Sequence, residues 1–165
     1  MATKTLDDLF YETLKDIYYA ERQILKALPK MARAAQDEKL KTAFQDHKEE
    51  TEGQIERLKQ VFEIIGKRAR GKTCDAIEGI ISEGEEIMEE FKDTPALDAG
   101  LLAAAQAVEH YEISRYGTLR SWAQQLGLKD AVKLLEETLA EESKTDEKLT
   151  GLAKTAVNSA ARKAA

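Results

Sequence analysis

With one cysteine and two prolines among its 165 residues, the chain has few means of stapling or breaking its backbone. Cys74 alone cannot close an intrachain disulfide, so the expected compartment is the reducing cytoplasm. Prolines only at positions 29 and 95 leave long stretches where nothing interrupts a helix. Aromatic residues make up 6% of the chain, so packing must come mainly from aliphatic side chains. The longest apolar stretch, around Leu101 to Val108, includes Gln106 and falls far short of the roughly 20 residues of a membrane span. Met1 to Phe10 lack the basic and apolar regions of a signal peptide. Positive charge is not in excess either. The net charge is -6 with both signs interleaved, which gives no electrostatic footprint for nucleic acid or an anionic membrane. The expected partners are small molecules, ions or proteins.

What the chain does contain is 42% hydrophobic and 34% charged residues, rich in Ala, Leu, Glu and Lys, the mixture of long helices. Its length suits one domain able to bury a core without metal. Thr5 with Asp7 and Asp8 opens a first helix reaching about Arg33, with a kink expected before Pro29. Asp37 caps a second helix, which Gly66 ends. A basic linker from Gly66 to Lys72 reads as a solvated loop, and Thr73 opens a shorter third helix through Phe91. Thr94-Pro95 starts a fourth, closed by Gly127, and a fifth runs from about Lys129 into the 150s. The expected domain spans residues 1–155, and 156–165 is expected to fray. Tight connections join the first helix to the second and the fourth to the fifth. The third helix, about 27 Å long at 1.5 Å per residue, can cross the whole bundle. The expectation is all-α, a ferritin-like antiparallel four-helix bundle with an additional crossover helix.

Each long helix has an apolar seam at spacings of three and four, and acids interrupt all four seams. Glu21 stands among Ile17, Ile24 and Leu28. His47 is followed by Glu50, Thr51 and Gln54. Glu109 and Glu112 precede Tyr116 and Leu119, and Glu142 and Asp146 lie between Leu135 and Leu149. Height along the bundle agrees as well as face. Glu21 and Glu50 each lie about 14 residues from the first connection, and Glu112 and Glu142 about 15 and 14 from the second. His47, Glu109 and Asp146 fall one turn away, toward one end.

Six acids in a dry interior need compensation, because each unpaired buried charge costs several kcal/mol. No Lys or Arg lies on these seams. Two metal ions would neutralise them, and carboxylates with one imidazole suit iron or manganese. The expected metal ligands are therefore Glu21, His47, Glu50, Glu109, Glu112, Glu142 and Asp146, with Glu50 and Glu142 bridging. Gln54 and His110 are candidates for supporting roles. An echo of Glu49-Glu50-Thr51-x-x-Gln54 in Glu141-Glu142-Ser143-x-x-Asp146 relates the two hairpins. The competing readings are metal binding without turnover and a helical interaction module whose acids form a partly protonated network.

At these residues the chain resembles the YciF-like bacterial stress proteins, a ferritin-like family. The carriers run from Thr5-Leu-Asp-Asp-Leu-Phe10 to about Leu152. They include Tyr18-Tyr-Ala-Glu-Arg-Gln23, His47-Lys-Glu-Glu-Thr-Glu-Gly-Gln54, Gln106-Ala-Val-Glu-His-Tyr-Glu-Ile113 and Glu136-Glu-Thr-Leu-Ala-Glu-Glu142. The resemblance implies a dinuclear iron or manganese site, a homodimer, and a role in oxidative or general stress, with manganese catalase-like disproportionation of peroxide as one activity. The broader ferritin-like pattern places Glu-x-x-His on two helices. Here position 53 is Gly and position 145 is Thr, which leaves His47 as the one seam imidazole.

Overall fold

The computed structural model describes residues 3–163 and contains helices and no strand among them. The order is α1 (Leu6–Ala34), α2 (Glu38–Ile64), α3 (Asp75–Glu90), α4 (Leu97–Gln125) and α5 (Lys129–Leu152). A π-helical turn, Ala153–Val157, then leads into α6 (Asn158–Lys163).

Local chemistry sets most of these boundaries. Thr5 and Asp8 form a reciprocal capping box, with the Thr5 amide donating to Asp8 Oδ2 at 2.9 Å. Asp37 Oδ1 accepts the amides of Lys39 and Leu40, both at 2.9 Å. Gly66 and Gly127 close their helices at φ of +67° and +71°, where a Cβ would be strained. Helix α1 continues through Pro29 to Ala34.

Three boundaries differ from expectation. The cap of α3 is Cys74, whose Sγ accepts the Ile77 amide at 3.4 Å, and not Thr73. Helix α4 begins at Leu97, because Thr94-Pro95 is spent on a turn in which Thr94 Oγ1 donates to the Phe91 carbonyl. The C-terminal segment expected to fray is helical from Asn158 to Lys163, anchored by the buried Val157; residues 164 and 165 lie outside the described residues.

The hairpins α1/α2 and α4/α5 pack against each other through α2 on α5 and α1 on α4, and α3 crosses outside on α4 and α1. The third helix thus makes the expected crossover. Gly100 permits its close approach, since a Cβ there would stand 2.6 Å from Ile87 Cγ2. The basic linker is less free than expected. Its Lys72 amide donates to the Lys15 carbonyl at 3.1 Å, and Gly71 lies on Tyr19.

One apolar cluster runs through the bundle and includes Phe10, Leu14, Leu58, Phe62, Leu119, Leu135, Leu28, Leu40, Phe44, Leu101 and Leu149. A layer of buried polar side chains interrupts it.

Candidate metal centre

Four helices contribute to that layer because each places an acid or imidazole on its inward stripe. Glu21 (α1), Glu109 and Glu112 (α4) and Glu142 (α5) are 0% exposed, and His47 (α2) is 3% exposed. His47, Glu109, Glu112 and Glu142 each offer one ligand atom within 4.8 Å of the others. His47 Nε2 stands 3.0 Å from Glu109 Oε1 and 4.0 Å from Glu142 Oε2. The shorter approach has the distance of a hydrogen bond and not its direction, so Nε2 remains without a partner.

The carboxylates are left in the same condition. Both oxygens of Glu109, Glu112 and Glu142 and Oε2 of Glu21 are buried with no hydrogen-bond partner among the described residues. Glu21 Oε1 accepts the Tyr116 hydroxyl at 2.5 Å, which fixes Glu21 and leaves its other oxygen free. Thr51, also buried, returns its hydroxyl to the His47 carbonyl at 2.8 Å and offers the cluster no compensating charge.

Burial dominates the electrostatics. It pushes Glu21 up to about 8, with the Glu142 carboxylate adding to the shift. Burial likewise raises Glu109 to about 8, against a lowering contact with Glu142. Glu112 and Glu142 are raised well above the carboxylate range by burial and by neighbouring carboxyls. Without a cation these groups hold protons near neutrality. A set of orphaned carboxylate oxygens around one orphaned imidazole nitrogen matches the donor chemistry of a hard or borderline cation. The residues present fit a metal.

Three expected ligands stand outside the group of four: Glu21, which is buried with it, and Glu50 and Asp146, which lie nearer the surface. Glu50 is half-buried and accepts the Thr145 hydroxyl at 3.0 Å, because Thr51 rather than Glu50 takes the innermost position on α2. Asp146 Oδ1 is approached by His110 Nε2 at 3.1 Å and accepts from Gln106 Nε2 at 3.3 Å. Both still lie close enough to raise the proton affinity of Glu109. Gln54 is buried, donates to Glu141 Oε2 at 3.1 Å, and keeps Oε1 unpartnered.

Sequence reasoning passed over the groups that hold this layer in place. Arg57 crosses from α2 to α5, where its guanidinium donates to both oxygens of Glu141 at 2.6 and 2.8 Å and also to Glu137 and Thr138. Asp98, buried at the start of α4, accepts the Gln36 and Asp37 amides at 2.8 and 2.7 Å and so fixes the α1/α2 connection. Its acid in a first turn was visible in sequence, its partners across the fold were not.

Among known proteins, a family model described as a domain of unknown function, DUF892, matches residues 5–162. Protein YciF of Escherichia coli (strain K12) is 51% identical over 159 residues, 96% of each chain. The crystal structure of the E. coli stress protein YciF is similar at a TM-score of 0.90 and 51% identity, covering 94% of this chain and 99% of that one. YcfI from Rhodopseudomonas palustris, described as a candidate structural protein, gives 0.87 and 50% over 89% and 94%. A Xanthomonas campestris protein at 22% identity and a TM-score of 0.71 shares the fold.

Proposed function

This chain belongs to the DUF892 family that includes Protein YciF, and from that premise we propose that it is a stress-response protein that binds a pair of iron or manganese ions in its bundle centre. The observation that carries the proposal is the set of buried donor atoms without partners on Glu21, His47, Glu109, Glu112 and Glu142. A fold that spends several kcal/mol on each unpaired buried charge requires a return, and cations supply it. Four buried carboxylates balance two divalent ions, and acids projecting inward from several helices are the arrangement of dinuclear carboxylate bundles. The description of the E. coli relative as a stress protein supports the physiological setting.

In this reading His47, Glu109, Glu112 and Glu142 are the principal ligands, and Glu21 adds its free oxygen. Tyr116 orients Glu21, and Thr51 ties the His47 turn. Glu50 and Asp146, held at the rim by Thr145, His110 and Gln106, steady the negative field from outside. The bound ions would supply changes of oxidation state toward dioxygen or peroxide, a chemistry that side chains lack. The protein's own part is to exclude bulk water, fix the donors and hold protons when metal is absent.

Metal binding without turnover is the second reading, favoured by burial so complete that no cluster side chain exceeds 3% exposure. Elemental analysis of protein purified without added metal tests both. About two iron or manganese per chain supports the dinuclear site, and peroxide or dioxygen consumption then separates the two readings. No metal after anaerobic reconstitution with either ion overturns both.

A further inference from the structure

The carboxylate layer is sealed toward water, but one apolar cavity of about 30 Å³ lies against it. It sits between α1, α4 and the crossover helix α3, and its walls include Ile24, Ile80, Ile81, Gly84, Ala105 and Val108. His47 lines the same cavity, and its Nε2 is buried without a hydrogen-bond partner among the described residues. Ile24 lies three residues beyond Glu21, and Val108 adjoins Glu109. The cavity wall thus includes a residue one turn along α1 from Glu21 and the chain neighbour of Glu109.

We infer that this cavity is the approach by which a small apolar molecule of the size and polarity of dioxygen reaches the centre. The inference rests on the metal-binding reading for its purpose but not for its test. Size and polarity select the ligand. About 10–15 Å³ on this measure holds one water, so a diatomic fits and an organic metabolite does not. A water or a peroxide entering the mostly aliphatic lining would give up several hydrogen bonds and find few in return, at His47 and at the Lys30 and Glu85 edge, whereas an apolar diatomic gives up none. Gly84 is part of the design. It faces Ala104, with space for an added Cβ at 3.5 Å, so larger side chains on these two helices would occupy the opening. At the outer edge Lys30 and Glu85 pair across α1 and α3 at 3.2 Å.

Two measurements on the metal-free protein test the route. Crystals pressurised with xenon are expected to show density beside His47 between Ile24, Ile80 and Val108. Methyl-resolved NMR under pressurised dioxygen is expected to show enhanced relaxation at Ile24, Ile80 and Val108 above that of the exposed Leu9. Ala104→Leu, at a half-buried position on the cavity wall, is expected to abolish both signals while leaving helicity and metal content per chain unchanged. Ala27→Leu fills the same space from α1 and serves if Ala104→Leu misfolds. Absence of xenon, or enhancement at the cavity methyls no greater than at Leu9, overturns the route whatever the metal content. Failure to bind metal overturns the function proposed above and leaves the xenon result standing.

Discussion

Glu141 and Glu142 are neighbours in the chain and opposites in environment. Glu141, 27% exposed at its side chain, accepts hydrogen bonds from Gln54 and from two nitrogens of Arg57. Glu142, 100° further round the helix, is fully buried and neither oxygen has a partner. One acid is compensated by a cation of the protein, the other faces carboxyls and one imidazole. The same division runs through the whole bundle. Asp98, Asp16 and Glu12 each have donors aimed at them, while Glu109, Glu112 and Glu142 have none. Unsatisfied buried acids are rare, so three in one cluster mark a candidate site.

Substitution at the uncompensated acids should have the largest effect. Glu142→Gln and Glu109→Gln keep shape and remove charge, and each is expected to lower metal affinity by more than the about 10–100-fold typical of a supporting residue. Equilibrium dialysis with iron and manganese measures it. Affinity within a few-fold of the parent protein would erase the distinction between Glu142 and Glu141.

Metal removal comes next. At a metal concentration 100-fold above the dissociation constant, loading is expected to stabilise the fold by about 2.7 kcal/mol. That corresponds to a melting-temperature rise of about 5–10 °C for a chain of this size. A calorimetric scan before and after chelation checks it, and coincident transitions would show that the acids need no ion.

Of similar size, and opposite in sign to metal removal, is the effect of Glu112→Met on the metal-free protein. Replacing an unpaired buried acid by an apolar side chain of similar volume is expected to raise stability by about 1–4 kcal/mol while impairing metal binding. Loss of stability in urea would mean that Glu112 has a compensating partner after all.

The pH dependence follows from the raised proton affinities. Glu21 and Glu109, at about 8 in the fold, bind protons more tightly than in the unfolded chain, where a glutamate titrates near its ordinary value of 4.5. The native state therefore holds more protons between these limits. Metal-free stability should be greatest below about pH 4.5 as far as these groups are concerned and fall as pH rises toward 8. Metal, which requires the ionised form, should flatten this slope and release protons on binding. Urea midpoints at several pH values, with and without metal, test the sign; a metal-free midpoint that climbs from pH 5 to 8 would contradict it.

Much of this arrangement was legible in the sequence, for identifiable reasons. The seams of α1, α2, α4 and α5 repeat at three and four residues, so the positions of Glu21, His47, Glu109, Glu112 and Glu142 were fixed by their apolar neighbours. Glu50 and Asp146 lay at the margin of that method. Adjacent positions differ by 100°, and the rotation of α2 that turns Thr51 inward and Glu50 toward Thr145 depends on packing across the bundle. Arg57 escaped notice because it lies off the seam and meets its partners 80 or more residues away. The start of α4 was placed early because Thr94-Pro95 carries the signature of a helix start and that of a turn alike.

The smallest expected effect tests the compensated side. Glu141→Gln keeps the contact to Gln54 but neutralises the acceptor of Arg57, which is itself 16% exposed at its side chain and retains Glu137 and Thr138. Because the pair is partly solvated and the guanidinium keeps two partners, the loss should be about 1 kcal/mol. It should appear as a lower urea midpoint at unchanged slope, with metal per chain as in the parent. The outcome has diagnostic weight because Gln54 links the two environments: its amide donates to Glu141 while its buried Oε1 is free. If metal content falls with Glu141→Gln as far as with Glu142→Gln, the compensated pair positions Gln54 for the centre, and the boundary between scaffold and site moves outward by one residue on α5.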